Sequence, residues 1–138
     1  MRGLLRVMNQ QTEHGDRGTS LAEAIRRVVD LEAKGEIGLA VQLLMDLVAE
    51  FPMEVSVHGY LASYLADCDR FDEAVGHGRL AIQLSPNSGL ASLVLFHVLW
   101  KAGRRSEAIE EIRRFLPLRR SDKHTSKYSK ILMECDRN

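Results

Sequence analysis

The sequence predicts an all-α fold, a solenoid of antiparallel helix pairs with about seven helices. Three observations carry this. Three stretches share one pattern: Lys34-Gly35-Glu36-Ile37-Gly38-Leu39-Ala40, Cys68-Asp69-Arg70-Phe71-Asp72-Glu73-Ala74 and Ala102-Gly103-Arg104-Arg105-Ser106-Glu107-Ala108. Their final alanines, Ala40, Ala74 and Ala108, are equally spaced, and no gap is needed to align them. Pro52 and Pro86 follow Ala40 and Ala74 at one fixed distance. Between these marks, apolar residues recur at the three- and four-residue spacing of helices buried on one face.

The repeats fall at residues 21–54, 55–88 and 89–122. In the first, Leu21, Ile25, Val28, Val29 and Leu31 define a helix face. Thr19-Ser20 with Glu23 reads as a capping box at its start. Lys34-Gly35 reads as its end. Ile37, Val41, Leu44, Leu47 and Val48 define the second helix, which must stop before Pro52. The second repeat places Leu61, Ala62 and Leu65 on one helix and Phe71, Ala74, Val75, Leu80 and Leu84 on the next. The third uses Leu90, Leu93, Val94 and Val98, then Ala108, Ile109, Ile112 and Leu116. Residues 123–136 form a seventh helix, with Tyr128, Ile131, Leu132 and Cys135 as the apolar face that closes the stack. Residues 1–18 are expected to be disordered ahead of a domain over 19–138, with a short helix over 4–11 as the alternative. One such helix pair is too short to be stable alone, so stacking supplies the core.

This pattern resembles the tetratricopeptide-repeat family, whose units are about 34 residues long with alanine at position 20 and proline at position 32. The resemblance covers about residues 19–122. It implies a right-handed superhelical solenoid closed by a capping helix, and a protein-binding function. The units diverge from the family pattern. Phe96 occupies position 8, where a small residue is usual, and Gly78 occupies position 24, where an aromatic is usual. Phe96 is expected to fill the volume that Gly78 leaves, the alternative being that Gly76 and Gly78 loosen their helix. Phe115, at position 27, faces the cap.

The resemblance also implies a concave groove lined by the first helix of each repeat. Its residues would be Ala22, Ile25, Val29, Glu32 and Ala33, then Ser56, Gly59, Ser63, Ala66 and Asp67, then Leu90, Leu93, His97, Trp100 and Lys101. The groove is small in its middle and apolar at its far end. There Trp100 beside Leu93 is either a hot spot for a partner or packed against the closing helix. Family members that hold acidic chaperone tails use Lys, Asn and Arg at set groove positions. Ile25, Val29, Tyr60, Leu90 and Val94 stand there instead, so an apolar or amphipathic peptide segment is the expected ligand.

Composition narrows the function further. Apolar residues make up 45% of the chain, charged residues 28%, and the formal net charge is zero, so no global field draws in nucleic acid. No apolar run approaches the length of a membrane span. Cys68 and Cys135 form no CxxC, which points to a reducing, cytoplasmic setting without zinc or disulfides. No nucleophile, metal-ligand or phosphate-loop motif is present, so neither an enzyme nor a cofactor or small-molecule substrate is expected. His77, between two glycines, reads as a solvated surface residue, and Cys68 as half-buried. From Arg104 to Lys130 there are nine Lys or Arg against four Asp or Glu. Arg113, Arg114, Arg119, Arg120 and Lys123 are the densest part of this patch, which lacks the interleaved aromatics of a nucleic-acid surface.

The leading expectation is a protein-interaction adaptor with a peptide groove; self-association stays open. The alternatives are a small dedicated chaperone resembling the class II chaperones of type III secretion, and an inhibitory or immunity-type protein acting through its basic end.

Overall fold

The computed structural model describes residues 17–118 and 123–137. Seven helices occupy them: α1 Arg17–Ala33, α2 Ile37–Glu50, α3 Val55–Asp67, α4 Phe71–Leu84, α5 Gly89–Lys101, α6 Arg105–Phe115 and α7 Lys123–Arg137. No strand occurs among the described residues. Each helix packs on the next from α1 to α6. The first helices of the second and third repeats, α3 and α5, also pack on each other, and α7 rests on both α5 and α6. This is the predicted solenoid.

The small residues explain the stacking. Ala40, Ala74 and Ala108 are all fully buried, one in the second helix of each repeat. A methyl side chain there lets neighbouring helices approach closely while Val28, Leu44, Leu61, Leu65, Leu95, Leu99 and Ile112 fill the space around it.

The turn inside each repeat is identical in design. Gly35, Asp69 and Gly103 stand at equivalent positions of the three repeats, and all have positive φ, of 77°, 60° and 79°. At each, two backbone bonds close the helix end: Gly35 and Glu36 donate to Glu32 and Leu31, Asp69 and Arg70 to Ala66 and Leu65, and Gly103 and Arg104 to Trp100 and Leu99. This is a Schellman closure, which glycine satisfies without steric cost. Asp69 is the exception, since its Cβ is disfavoured in that conformation. Asp69→Gly is therefore expected to stabilise the fold by about 1 kcal/mol, read as a raised urea midpoint with an unchanged m-value.

The start of α1 departs from the capping-box reading. The helix begins at Arg17, so Ser20 lies within it and is buried rather than capping it. The helix therefore extends one turn further back than the Ser-x-x-Glu signature suggests. The expectation for residues 1–16 lies outside the described residues.

Gly78 and Phe96 do not compensate each other. A Cβ at Gly78 would lie 3.0 Å from Leu95 Cδ1, so it is Leu95 that uses the vacated space. Phe96 instead turns toward the end of the stack, with ring centroids 5.6 Å from Trp100 and 5.7 Å from Tyr128. Adjacent residues on a helix point about 100° apart, and counting positions along the repeat does not capture that rotation. Gly78→Leu would overpack this contact and is expected to lose about 1–3 kcal/mol in urea unfolding.

The closing helix keeps the register of the repeats. α3, α5 and α7 start at Val55, Gly89 and Lys123, at one constant interval. α7 is the first helix of a fourth unit that has no second helix among the described residues. Ser126, Ser129, Lys130 and Met133, the positions that would face such a partner, are exposed. Its opposite face is anchored by fully buried Tyr128, whose hydroxyl lies 2.9 Å from Ser92 Oγ and whose ring meets Phe115 edge-on at 5.8 Å. Burial pushes the Tyr128 hydroxyl pKa up to about 12.

Candidate functional site

A groove of about 490 Å³ opens between α3 and α5 and is backed by the end of α4. α3 supplies Val55, Ser56, Gly59, Tyr60 and Ser63. α5 supplies Leu90, Ala91 and Val94, with Ser88 at its start, and α4 supplies Ala81, with Ser85 just past its end. No charged residue lines the groove. Ser88 is held as the N-cap of α5 by accepting a hydrogen bond from the Ala91 backbone N–H at 3.1 Å.

The three repeats differ at the groove-facing positions. Gly59 stands where the other units have Ile25 and Leu93, and Ser63 where they have Val29 and His97. The middle unit thus lacks one side chain and carries a small one at the second position, and a Cβ at Gly59 would meet nothing within 4 Å. Leu90 forms the opposite wall and is 67% exposed, a large apolar residue without cover. Tyr60 and Val94 complete the apolar surround, and both also pack against the core.

Ser56, Gly59, Ser63 and Leu90, of the expected groove residues, line this one groove. The other expected groove residues lie apart from this lining. Ala66 is core, because at the end of α3 its face turns inward. Val29 is exposed and Ile25 partly buried, both on α1. Leu93 is partly buried against the core. His97 lies beside α7, 3.4 Å from Lys127 Nζ. Burial, and then the nearby ammonium, lower its pKa below the ordinary imidazole value.

Trp100 is half-buried, with the Arg105 guanidinium 4.4 Å above its ring. That cation stacks on one face of the ring. Lys101 and Asp67 bond each other at 2.8 Å across neighbouring repeats. Glu32 accepts a hydrogen bond from the buried Tyr64 hydroxyl, which burial and the adjacent carboxylate push well above the usual phenol range. These polar ties hold successive first helices side by side and so fix the groove wall.

The basic region is partly inside the structure's own network. Arg114 bonds both oxygens of Glu111 at 2.7 and 2.6 Å and donates to the Pro86 carbonyl at 2.9 Å. Arg113 is exposed and has an interaction of its own. Arg119 and Arg120, and the side chain of Lys123, lie outside the described residues. Among the described residues no group of three His, Cys, Asp or Glu is placed to hold a metal ion, and no helix is long and apolar enough to cross a membrane.

Three features escape a reading of the sequence. Cys68 is exposed rather than half-buried, because it caps α3 in the turn. His77 is half-buried rather than solvated: its Nδ1 lies 3.0 Å from Nδ1 of buried His58. A second, smaller apolar hollow lies on the first repeat, lined by Leu31, Leu39, Gln42, Leu43 and Asp46. There Leu39 is 57% exposed at the position Glu73 and Glu107 hold in the other units, and that apolar-for-acidic exchange is a signal that comparison of the repeats could have found.

No protein-family model matches the sequence, and no curated protein does. Solved structures do match. The R50E mutant of MamA is 25% identical over 81% of this chain and 90% of its own, with a TM-score of 0.61. The TPR2B domain of yeast Sti1, in its pHsp70 complex, is 18% identical over 79% of this chain and 95% of its own, with a TM-score of 0.65. The TPR2AB domain of yeast Sti1, in its pHSP90 complex, is 17% identical over 96% of this chain and 50% of its own, with a TM-score of 0.71.

Proposed function

We infer that this chain, a tetratricopeptide-repeat solenoid by fold, is a protein-interaction module that takes a neutral, apolar peptide segment into the groove between α3 and α5. The observation that carries this reading is the uncharged lining around Gly59, with Leu90 left open beside it. An ionised group placed there would lose water and gain no counter-charge. The serine hydroxyls at 56, 63, 85 and 88 offer hydrogen bonds to a backbone without asking for charge.

The segment's size follows from the wall. Val55 to Ser63 spans about 12 Å of helix, the reach of about four extended residues. Leu90 and Tyr60 would grip one or two large apolar side chains over the space at Gly59. The complexes of the two Sti1 domains do not transfer to this chain. Tyr60, Leu90 and Val94 line its groove, and no cation stands there to hold an acidic tail.

An array of short peptides probed with the purified chain tests this reading. Uncharged peptides with Leu, Ile or Phe are expected to bind, with affinity nearly insensitive to salt. Binding carried by acidic peptides, and lost steeply as salt is raised, would overturn the reading in favour of the basic end.

A further inference from the structure

We propose that His58 and His77 form a proton-sensitive clip that ties α4 and the α2–α3 turn to α3, closed while the pair holds one proton between its facing nitrogens and opened when a second proton is placed between them. His58 is 3% exposed, at the start of the second repeat. Its Nε2 lies 2.8 Å from the Pro52 carbonyl, which can only accept, so Nε2 carries the proton. The other nitrogen, Nδ1, is then free to accept. It lies 3.0 Å from Nδ1 of His77, and the two rings stack at 5.3 Å between centroids, 23° from parallel. His77 Nδ1–H donates, and one hydrogen bond is complete. The assignment of both tautomers follows from the single backbone acceptor.

Proton counting gives the switch. A first added proton can go to the outer nitrogen of His77, leaving its Nδ1–H donating as before. A second must go to His58 Nδ1, and then two N–H groups face each other at a distance that needs one donor and one acceptor. The pair must part, and α4 loses its tie to α3. Two charged rings in this half-buried site would also repel.

The surroundings set the direction. Burial holds the His77 pKa below the ordinary imidazole range, repulsion between the two rings when both are charged acts the same way, and Glu73 on its own helix pulls the other way. Glu73 is itself held by Arg70 at 2.8 Å. α2 carries Asp46 and Glu50, each with an interaction of its own. On α5, the one Lys or Arg is Lys101, bonded to Asp67. The unfolded chain takes up both protons freely near the ordinary imidazole pKa of about 6.5, and the folded pair resists the second. Stability from the clip is therefore present above about pH 6.5 and is lost as the pH falls, each unit weakening the closed state by up to about tenfold.

The test uses the intact chain and His77→Phe, which keeps a ring against His58 but removes the second titrating group. Nitrogen-15 NMR of the histidines is expected to show His58 protonated at Nε2 and unprotonated at Nδ1 at neutral pH, with the pair titrating in two separated steps. Urea unfolding between about pH 7.5 and about pH 5 is expected to show the wild type losing stability more steeply than His77→Phe. Two independent titrations near the ordinary value, or the reverse tautomer at His58, would overturn the clip. So would equal pH slopes in the two proteins. Should His77→Phe fail to fold, the spectra of the wild type decide alone.

Discussion

Tyr128→Ala is expected to lower the stability of the chain by about 3–5 kcal/mol, the range for removing a large buried aromatic side chain. Tyr128 is fully buried against Phe96 and Phe115, and its hydroxyl is paired with Ser92, also fully buried. Truncation would open a cavity and leave the Ser92 hydroxyl without its partner. Typical domains hold only about 5–15 kcal/mol in all, so the loss would be a large share of the total. Tyr128→Phe separates the two contributions: it keeps the ring and is expected to cost about 1 kcal/mol. Urea midpoints measure both. A loss below about 1 kcal/mol for Tyr128→Ala would mean that α7 does not close the stack.

Gly59→Leu is expected to weaken peptide binding by at least about tenfold, roughly 1.4 kcal/mol, without destabilising the fold. A glycine inside a helix costs about 0.5–1 kcal/mol relative to alanine. At Gly59 an added Cβ would meet nothing within 4 Å, so the substitution removes that cost and places a leucine where the partner's side chain would lie. Gly38 and Gly76 have equally open space above them but lie outside the groove, and leucine there should leave binding unchanged. A Gly59→Leu protein that is more stable and still binds would remove Gly59 from the site. Loss of both stability and binding would show only that the helix was damaged.

The fold is legible because its two strongest signals are local. A constant repeat interval and a glycine at the helix end can be read without knowing any contact, and together they locate the turn inside each repeat. The second repeat keeps the same backbone with Asp69 in place of glycine, where the aligned pattern already puts it. Legibility fails where two helices must be rotated against each other. Position in the repeat pairs Phe96 with Gly78, but Leu95, one residue away, faces that space. The same counting assigns Ala66 to the groove, and it is core. His58 and His77 are distant in the chain, on the two helices of one hairpin, and only the packed pair shows that their rings meet. Trp100 draws attention as the single tryptophan, while the Arg105 above it cannot be placed from sequence.

The groove also shows why composition alone is insufficient. Its apolar character comes from what is missing at Gly59 and Ser63 as much as from what is present at Leu90 and Tyr60. A residue count registers side chains, and an empty position becomes visible only when the three repeats are laid over one another.

Backbone amide mapping by NMR tests the binding claim most directly. Titration of the full chain with a short uncharged leucine-containing peptide is predicted to shift the amides of Ser56, Gly59, Ser63, Ala91 and Val94, saturably and together, and to leave Leu39 and Arg113 in place. Shifts confined to the hollow around Leu39, or to the arginines of α6, with the groove amides unmoved, would contradict the account.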